Sequence, residues 1–317
     1  MNNDQPILVT GAHRSGTTWV GRTLSQHPKV TYIHEPFNVD HPNPLVQLEL
    51  ENWFTHYPSS YQKKELKRAF DRLLGMSRIE RAWRGTRLAK PSLKMPVRFS
   101  RTLLRELVFR PALLVKDPIA LLSADWLYEA YNFKVIVTIR NPLAFAGSLK
   151  KAGWDFDFEN LKNQKHLMNT WLNDHTEEID RMIRFRHKFD LIDRAALLWK
   201  ILHSVIIKYQ KRYPEWLYMR HEDLARNPVS NFNRIFKYVA LRPDEKIIDY
   251  IRQYTSKRNQ PESSSTSYQP RDSRSVLQNW RKRLTDEEVN RVIAVTHEVA
   301  SEWYHYEDNM MTPISLV

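Results

Sequence analysis

The 317-residue chain has no cysteine. That excludes a disulfide scaffold, a thiolate zinc site and a cysteine nucleophile, and it fits a reducing compartment. Glycine is scarce, seven residues in all, so a local gathering of glycines marks a backbone task. No stretch approaches the roughly 18 consecutive apolar residues of a spanning helix. Residues 1–16 lack the basic region and apolar run of a signal peptide. These absences lead to the expectation of a cytoplasmic protein of enzyme size. The content of 42% apolar and 27% charged residues is that of a globular chain, not of a disordered, collagenous or coiled-coil one.

What is present in excess is positive charge. The net charge is +13, and residues 61–110 hold 15 Lys or Arg against 4 Asp or Glu. Much of it is spaced at three or four, as Arg78, Arg81, Arg84 and Arg87, then Arg98, Arg101 and Arg105, which makes a stripe on a helix. Val97, Leu103, Leu104, Leu107 and Val108 lie among the later cations, so that helix reads as amphipathic. Each cation taken singly reads as a solvated helix face. The block as a whole suits an acidic acceptor, an anionic membrane surface or nucleic acid. Nucleic acid is disfavoured, because no recognition motif is present and aromatics are not interleaved with the cations.

Five short apolar runs end in polar residues: 7–10 into Gly11, 30–33 into His34-Glu35, 113–115 into Lys116-Asp117, 135–139 into Arg140, and 216–219 into Arg220-His221. Runs of this length suit strands buried on both faces of a parallel sheet. Helical patterns at 123–131, 142–151 and 195–213 alternate with them, the βαβ signature. One domain over 1–317 is expected, with a basic helical insertion at about 40–110. A second helical stretch is read at about 159–188 and a mobile Ser/Gln/Pro-rich loop at about 259–275. A last helix at about 285–304 opens with the capping box Thr285 and Glu288.

Three of the seven glycines, Gly11, Gly16 and Gly21, fall within eleven residues, around Arg14-Ser15-Gly16-Thr17-Thr18-Trp19. A strand, a glycine-bounded loop and a helix N-terminus present N–H groups and a positive dipole end to an anion. In the ATP-binding version a Lys follows the second glycine, whereas Thr17 stands there and the cation is Arg14, inside the loop. A nucleoside or nucleotide kinase with a degenerate loop is therefore the lesser alternative.

With this loop in view, the chain resembles the sulfotransferases that use 3′-phosphoadenosine-5′-phosphosulfate (PAPS). The loop resembles their 5′-phosphosulfate signature, and Arg140-Asn141-Pro142 with Ser148 resembles their 3′-phosphate segment. The resemblance implies that Arg14, Ser15, Gly16, Thr17 and Thr18 bind the 5′-phosphosulfate, that Trp19 stacks on adenine, and that Arg140 and Ser148 hold the 3′-phosphate. Glu35 follows Arg14 by 21 residues, the spacing at which tyrosylprotein sulfotransferases place their catalytic Glu. Lys116-Asp117-Pro118 is similar to a motif of the same enzymes, in which the Lys stabilises the transferring group. Arg271–Arg283, with Ser275 and Trp280-Arg281, resembles a loop that closes over the nucleotide. His221 stands where cytosolic members have a Tyr that contacts adenine. The implied fold is a P-loop NTPase-like, three-layer α/β fold with a mostly parallel five-stranded sheet and helical insertions.

The chemistry needs these residue types. Sulfuryl transfer is a matter of positioning and of charge stabilisation. An acceptor hydroxyl requires a base, for which Glu35 is the candidate. Arg14 and Lys116 would neutralise charge on the moving group, and no metal is required. His13 and His34 read as hydrogen-bonding groups. His297-Glu298 and His305 do not form a zinc motif. The expected acceptor is a carbohydrate or glycolipid hydroxyl, with a protein tyrosine as the alternative. The insertion is expected to wall the acceptor through Arg81, Arg84 and Arg87.

Overall fold

The computed structural model describes residues 5–43, 46, 50–57, 64–76, 79–80, 82–83, 95–260, 269–307 and 310–313. Its centre is one sheet of five strands, β1 Ile7–Gly11, β2 Val30–His34, β3 Ala112–Lys116, β4 Lys134–Ile139 and β5 Leu217–Arg220. They are the five runs marked in the sequence. Their order is β2-β3-β1-β4-β5, and every pairing is parallel.

The principal helices are α1 Thr17–Leu24, α2 Lys64–Gly75, α3 Met95–Phe109, α4 Ala124–Tyr131, α5 Pro142–Ala152, α6 Leu191–Arg212, α7 His221–Arg226, α8 Pro228–Tyr238, α9 Glu245–Tyr254 and α10 Asp286–Ala300. Strand periodicity assigns the sheet residues to two cores. Leu8, Leu113, Val115, Val135 and Val137 face a core shared with α4, α5, α6 and α10. Ile7, Val9, Leu114 and Ile136 face the opposite core, which α1, α7, α8 and α9 complete. Both faces are covered, which is why the strands read as unbroken apolar runs. The result is the three-layer, P-loop NTPase-like architecture expected.

The topology places the site. β1 lies between β3 and β4, and its connection leads through α1 to β2 on the far side of β3. Chain direction therefore reverses beside β1, and the crevice beyond the carboxyl ends of β1 and β4 is where ligands bind in such sheets. The registers align those ends, with Gly11 opposite Thr138, His34 opposite Lys116, and Ile139 opposite Arg220.

Four local expectations are corrected. Residues 40–43, 46 and 50–57 are irregular rather than helical; at the start of this stretch Pro42 removes a donor and disfavours helix in His41 before it. The stretch at 159–188 is broken into Glu159–Lys162, Lys165–Thr170 and Thr176–Arg184 with two 3-10 turns. Local bonds from Asn160 to Asp157 O at 2.9 Å and from Thr176 to Asn173 O at 3.1 Å compete there with helix continuation. The last helix has the expected capping box, Glu288 N to Thr285 Oγ1 at 3.2 Å and Thr285 N to Glu288 Oε2 at 2.7 Å, but it ends at Ala300. Trp303 and Tyr304 turn into the core, and Tyr304–Glu307 pairs with Met310–Pro313, a hairpin the sequence did not suggest. Of the loop at 259–275, residues 261–268 lie outside the described residues, while Ser275 opens the 3-10 helix Ser275–Lys282.

Gly11 is the backbone position on which this packing turns. Its φ is 139°, and a Cβ there would lie 2.3 Å from Thr138 O of the neighbouring strand. Gly153, at the end of α5, also has a positive φ of 63° but has nothing within 4 Å of the same point. In urea unfolding, Gly11→Ala is expected to lose about 2–5 kcal/mol through strain and overpacking, and Gly153→Ala only about 1–2 kcal/mol. Equal losses would contradict the close approach of β1 and β4.

Candidate active site

The loop after β1 is shaped from behind. Gly16 is the N-cap of α1 with φ 97°, and a Cβ there would lie 2.6 Å from His221 Nδ1, so the loop can seat against α7 only with glycine. Ser15 lies beneath the loop. Its hydroxyl meets Thr138 Oγ1 at 2.6 Å and donates to Ala12 O, and its N–H bonds Ala12 O at 3.2 Å. The first intrahelical bond runs from Val20 N to Gly16 O at 3.1 Å, so the N–H groups of Thr17, Thr18 and Trp19 point out of the helix end. Arg14, at φ 63°, donates from Nε to Ser148 Oγ at 3.0 Å and stacks over Trp154 at 5.2 Å.

Arg140 follows β4 and donates to Arg14 O, while its own carbonyl accepts from Trp199 Nε1 at 2.8 Å. Behind it Glu222 accepts from Asn141 N at 3.1 Å and from Tyr304 OH at 2.9 Å. Burial pushes the Arg140 guanidinium down to about 10, against the pull of Glu222 and with the push of Arg14 and Arg283. Arg14 is lowered too, by burial and then by Arg271 and Arg283. Arg14, Arg140 and Arg271 line one crevice, and the charges of Arg271 and Arg283 act against Arg14 as those of Arg14 and Arg283 act against Arg140. Such a cluster is stabilised by a multivalent anion.

Unsatisfied polar atoms gather at the same place. Among the described residues, Trp19 Nε1, Arg140 Nε, His221 Nδ1 and His13 Nδ1 are buried without a hydrogen-bond partner, and all four residues line one cavity of about 930 Å³. Burial and neighbouring arginines push His13 and His221 down to about 3, so both rings are neutral. Trp19 is wedged edge-to-face between His221 at 5.8 Å and Phe232 at 5.4 Å. Each orphaned polar atom costs stability unless a ligand meets it.

The other half of the cavity is built on β2 and β3. Lys116, fully buried at the end of β3, donates Nζ to Glu35 Oε1, and Asn38 Nδ2 donates to Glu35 Oε2 at 2.7 Å. Glu35 N bonds Lys116 O at 2.9 Å and holds Glu35 at φ 40°, a conformation that costs a non-glycine residue energy. Burial alone would raise the Glu35 carboxyl, but the charge and hydrogen bond of Lys116, with His34 and Asn38, bring it below the usual range. Asp117 accepts from Phe37 N at 2.6 Å and Ile119 N at 2.9 Å and so knits the ends of β2 and β3. Its carboxyl is pushed up to about 7, chiefly by burial.

Arg14, Gly16, Thr17, Thr18, Trp19, Glu35, Arg140 and His221 line the cavity. Lys116 lies under it through Glu35, Ser148 stands behind Arg14, and Ser15 braces the loop. Trp280 and Arg281 are not brought to it. Trp280 packs on Gly147 of α5, where an added Cβ would be 3.3 Å away, and Arg281 is exposed over the Trp280 ring. Arg271, Ser273 and Val276 of that segment line the cavity instead, because Arg271 N bonds Tyr254 O at 3.1 Å and Ser273 Oγ bonds Ala225 O at 2.8 Å. The run of arginines was visible in the sequence, but which of them turns inward depends on those contacts. Arg78, Arg81, Arg84 and Arg87 lie outside the described residues. Of the described residues of the insertion at about 40–110, Asp40, His41 and Trp53 line the cavity, and helices α2 and α3 do not; residues at 34–38 and 153–160 complete that side. No metal-binding group of side chains occurs among the described residues.

A family model described as the sulfotransferase family matches residues 6–245. Carbohydrate sulfotransferase 1 of Danio rerio is 24% identical over 176 residues, which is 54% of this chain and 38% of that protein. The chain thus matches well under half of that relative's length. Among solved structures, a sulfotransferase from Mycobacterium avium is similar at TM-score 0.45 and 13% identity, covering 96% of this chain and 78% of that one. The sulfotransferase domain of the Synechococcus PCC 7002 olefin synthase is similar at TM-score 0.44 and 14% identity, covering 97% and 98%. A mouse sulfotransferase complexed with PAP gives TM-score 0.39 and 13% identity, covering 95% and 85%.

The arginine cluster makes a prediction that requires no knowledge of the ligand. Inorganic phosphate should raise the melting temperature, by an amount equivalent to about 2.7 kcal/mol at a hundredfold excess over its Kd. Arg271→Met should melt no lower than the parent without phosphate, because repulsion is relieved, and should gain less from phosphate. An undiminished gain would remove Arg271 from the anion site.

Proposed function

The chain belongs to the sulfotransferase family, and from that premise we propose that it moves a sulfuryl group from PAPS to a carbohydrate hydroxyl, with Glu35 as the general base. The observation that carries this reading is the union, in one cavity, of Arg14, Arg140, Arg271 and buried polar atoms without partners with an ionised Glu35 bonded to Lys116.

The residues fit a nucleotide with two phosphate positions. Arg140, with Ser148 and Arg14 beside it, suits the 3′-phosphate, and the N–H groups of Gly16 to Trp19 suit the 5′ end. Trp19 and His221 offer aromatic surface and unpaired ring nitrogens to a base. When bound, PAPS supplies a sulfuryl group already joined to a phosphate leaving group. Glu35 takes the acceptor hydroxyl proton at its carboxylate while the acceptor oxygen bonds to sulfur and the bond from sulfur to the bridging phosphate oxygen breaks, its electron pair leaving with PAP. Lys116 keeps Glu35 ionised and offers a cation to the charge that develops, and Arg14 offers another. A metal has no necessary part in these steps.

Support for a carbohydrate comes from the acceptor half. Trp53, Trp154 and Phe156 present apolar surface there, and Asp40, Asp157 and Asn160 present acceptors for hydroxyl protons. The carboxylates favour a neutral sugar over an acidic one. The relative from Danio rerio bears the name of a carbohydrate sulfotransferase.

Transfer of label from PAPS to a panel of neutral oligosaccharides, glycolipids and tyrosine peptides tests the reading. Glu35→Gln should lower kcat by about 10²–10⁴-fold and leave PAP affinity unchanged. Transfer to tyrosine peptides alone would overturn the carbohydrate assignment. The pH profile carries a signed test. Glu35 is held below its ordinary value of 4.5, so it stays ionised down to that pH, and the acid limb of kcat/KM should lie below about 4.5. Lys116→Met removes the charge and the bond that lower Glu35 and leaves burial, which raises it. The acid limb of the residual activity should then move to higher pH; an unmoved limb would separate Lys116 from Glu35.

A further inference from the structure

Helix α3 is inside out. An amphipathic helix on a soluble protein turns its apolar stripe to the core and its charges to water. In α3, Glu106 is buried and accepts from Thr31 Oγ1 at 2.8 Å. Arg105 donates to Pro28 O at 3.0 Å and to Val30 O. The face that meets edge strand β2 is thus polar and tied down by hydrogen bonds. Val97, Leu104, Leu107 and Val108 point the other way and are 55%, 62%, 51% and 61% exposed. At 100° per residue they fall within an arc of about 100°, and Arg101 borders that arc in the open.

This is no scatter of single apolar residues, which would need no explanation. Of the nine large apolar side chains exposed among the described residues, seven lie between 79 and 109. The same stretch sits in the part of the chain, 61–110, that carries 15 Lys or Arg against 4 Asp or Glu. Apolar surface bordered by cations on a convex helix is the arrangement that lies in the headgroup layer of an anionic bilayer. A second copy of the chain is a poorer occupant, because a two-fold contact would press two such basic segments together. No helix among the described residues is long and apolar enough to cross a membrane, so the contact is peripheral.

We propose that the outward stripe of α3 docks the protein on an anionic membrane surface, with Val97, Leu104, Leu107 and Val108 entering the headgroup layer and Arg101 meeting lipid phosphate or carboxylate groups.

The test is flotation of the full chain with phosphatidylcholine vesicles, with and without phosphatidylserine. The wild type should float with the phosphatidylserine vesicles, and less so as salt is raised. Leu104→Glu combined with Val108→Glu should require at least tenfold more lipid for half-binding, with melting temperature and PAP affinity unchanged, since both side chains are exposed and lie outside the cavity. Arg101→Glu should weaken binding to phosphatidylserine vesicles and not to pure phosphatidylcholine. Failure of the wild type to float, or equal flotation of the double variant, would overturn the proposal. So would a dimer in sedimentation that Leu104→Glu dissociates, because a second copy would then cover the stripe.

Discussion

The gathering of Arg14, Arg140 and Arg271 at one crevice, with Arg283 near enough to act on the first two, is the constraint on which the architecture of the site depends. Burial and mutual proximity lower the charged forms of Arg14 and Arg140, so the sheet must hold these cations together against their own field. It does so with fixed partners at their backs. Glu222 sits behind Arg140, Trp199 anchors the Arg140 carbonyl, and Arg140 in turn anchors the Arg14 carbonyl. Gly11 and Gly16 allow the loop to approach β4 and α7 closely enough for this to happen. Arg14 and Glu35 are both held at positive φ, which places backbone strain at the two sides of the proposed reaction.

The Lys-Asp-Pro and His-Glu-Asp segments show how one motif serves site and scaffold together. Lys116 reaches Glu35, whereas Asp117 beside it binds two backbone N–H groups and joins β2 to β3. His221 faces the cavity, whereas Glu222 and Asp223 tie the neighbouring backbone and Arg220 in place. Alternation along the chain thus divides the labour, with one residue turned toward ligand and the next toward the core.

The sheet was legible because each strand is an apolar run ending in a polar residue, and parallel topology sends all those ends to one edge. The glycine-bounded loop after β1 was legible because seven glycines in the chain make three within eleven residues conspicuous. What could not be read were contacts between segments distant in sequence. Trp280 looked like a nucleotide-facing residue but fills a gap over Gly147, and Arg271 is turned inward by a bond to Tyr254 O. The insertion at about 40–110 was expected to wall the site through its arginines, yet among its described residues the cavity is lined by Asp40, His41 and Trp53, which Trp154 and Phe156 join from a distant segment. Spacing in α3 revealed an amphipathic helix but not its orientation, which is set by Arg105 and Glu106 at the β2 edge.

The most direct measurement is calorimetric titration of PAP into the protein without divalent metal, against ATP with Mg²⁺, on the wild type and on Arg140→Ala. On the proposed reading, Arg14, Arg140 and Arg271 at one crevice predict tight, metal-independent PAP binding that the variant loses. No PAP binding by the wild type, or a preference for ATP with Mg²⁺, would contradict it.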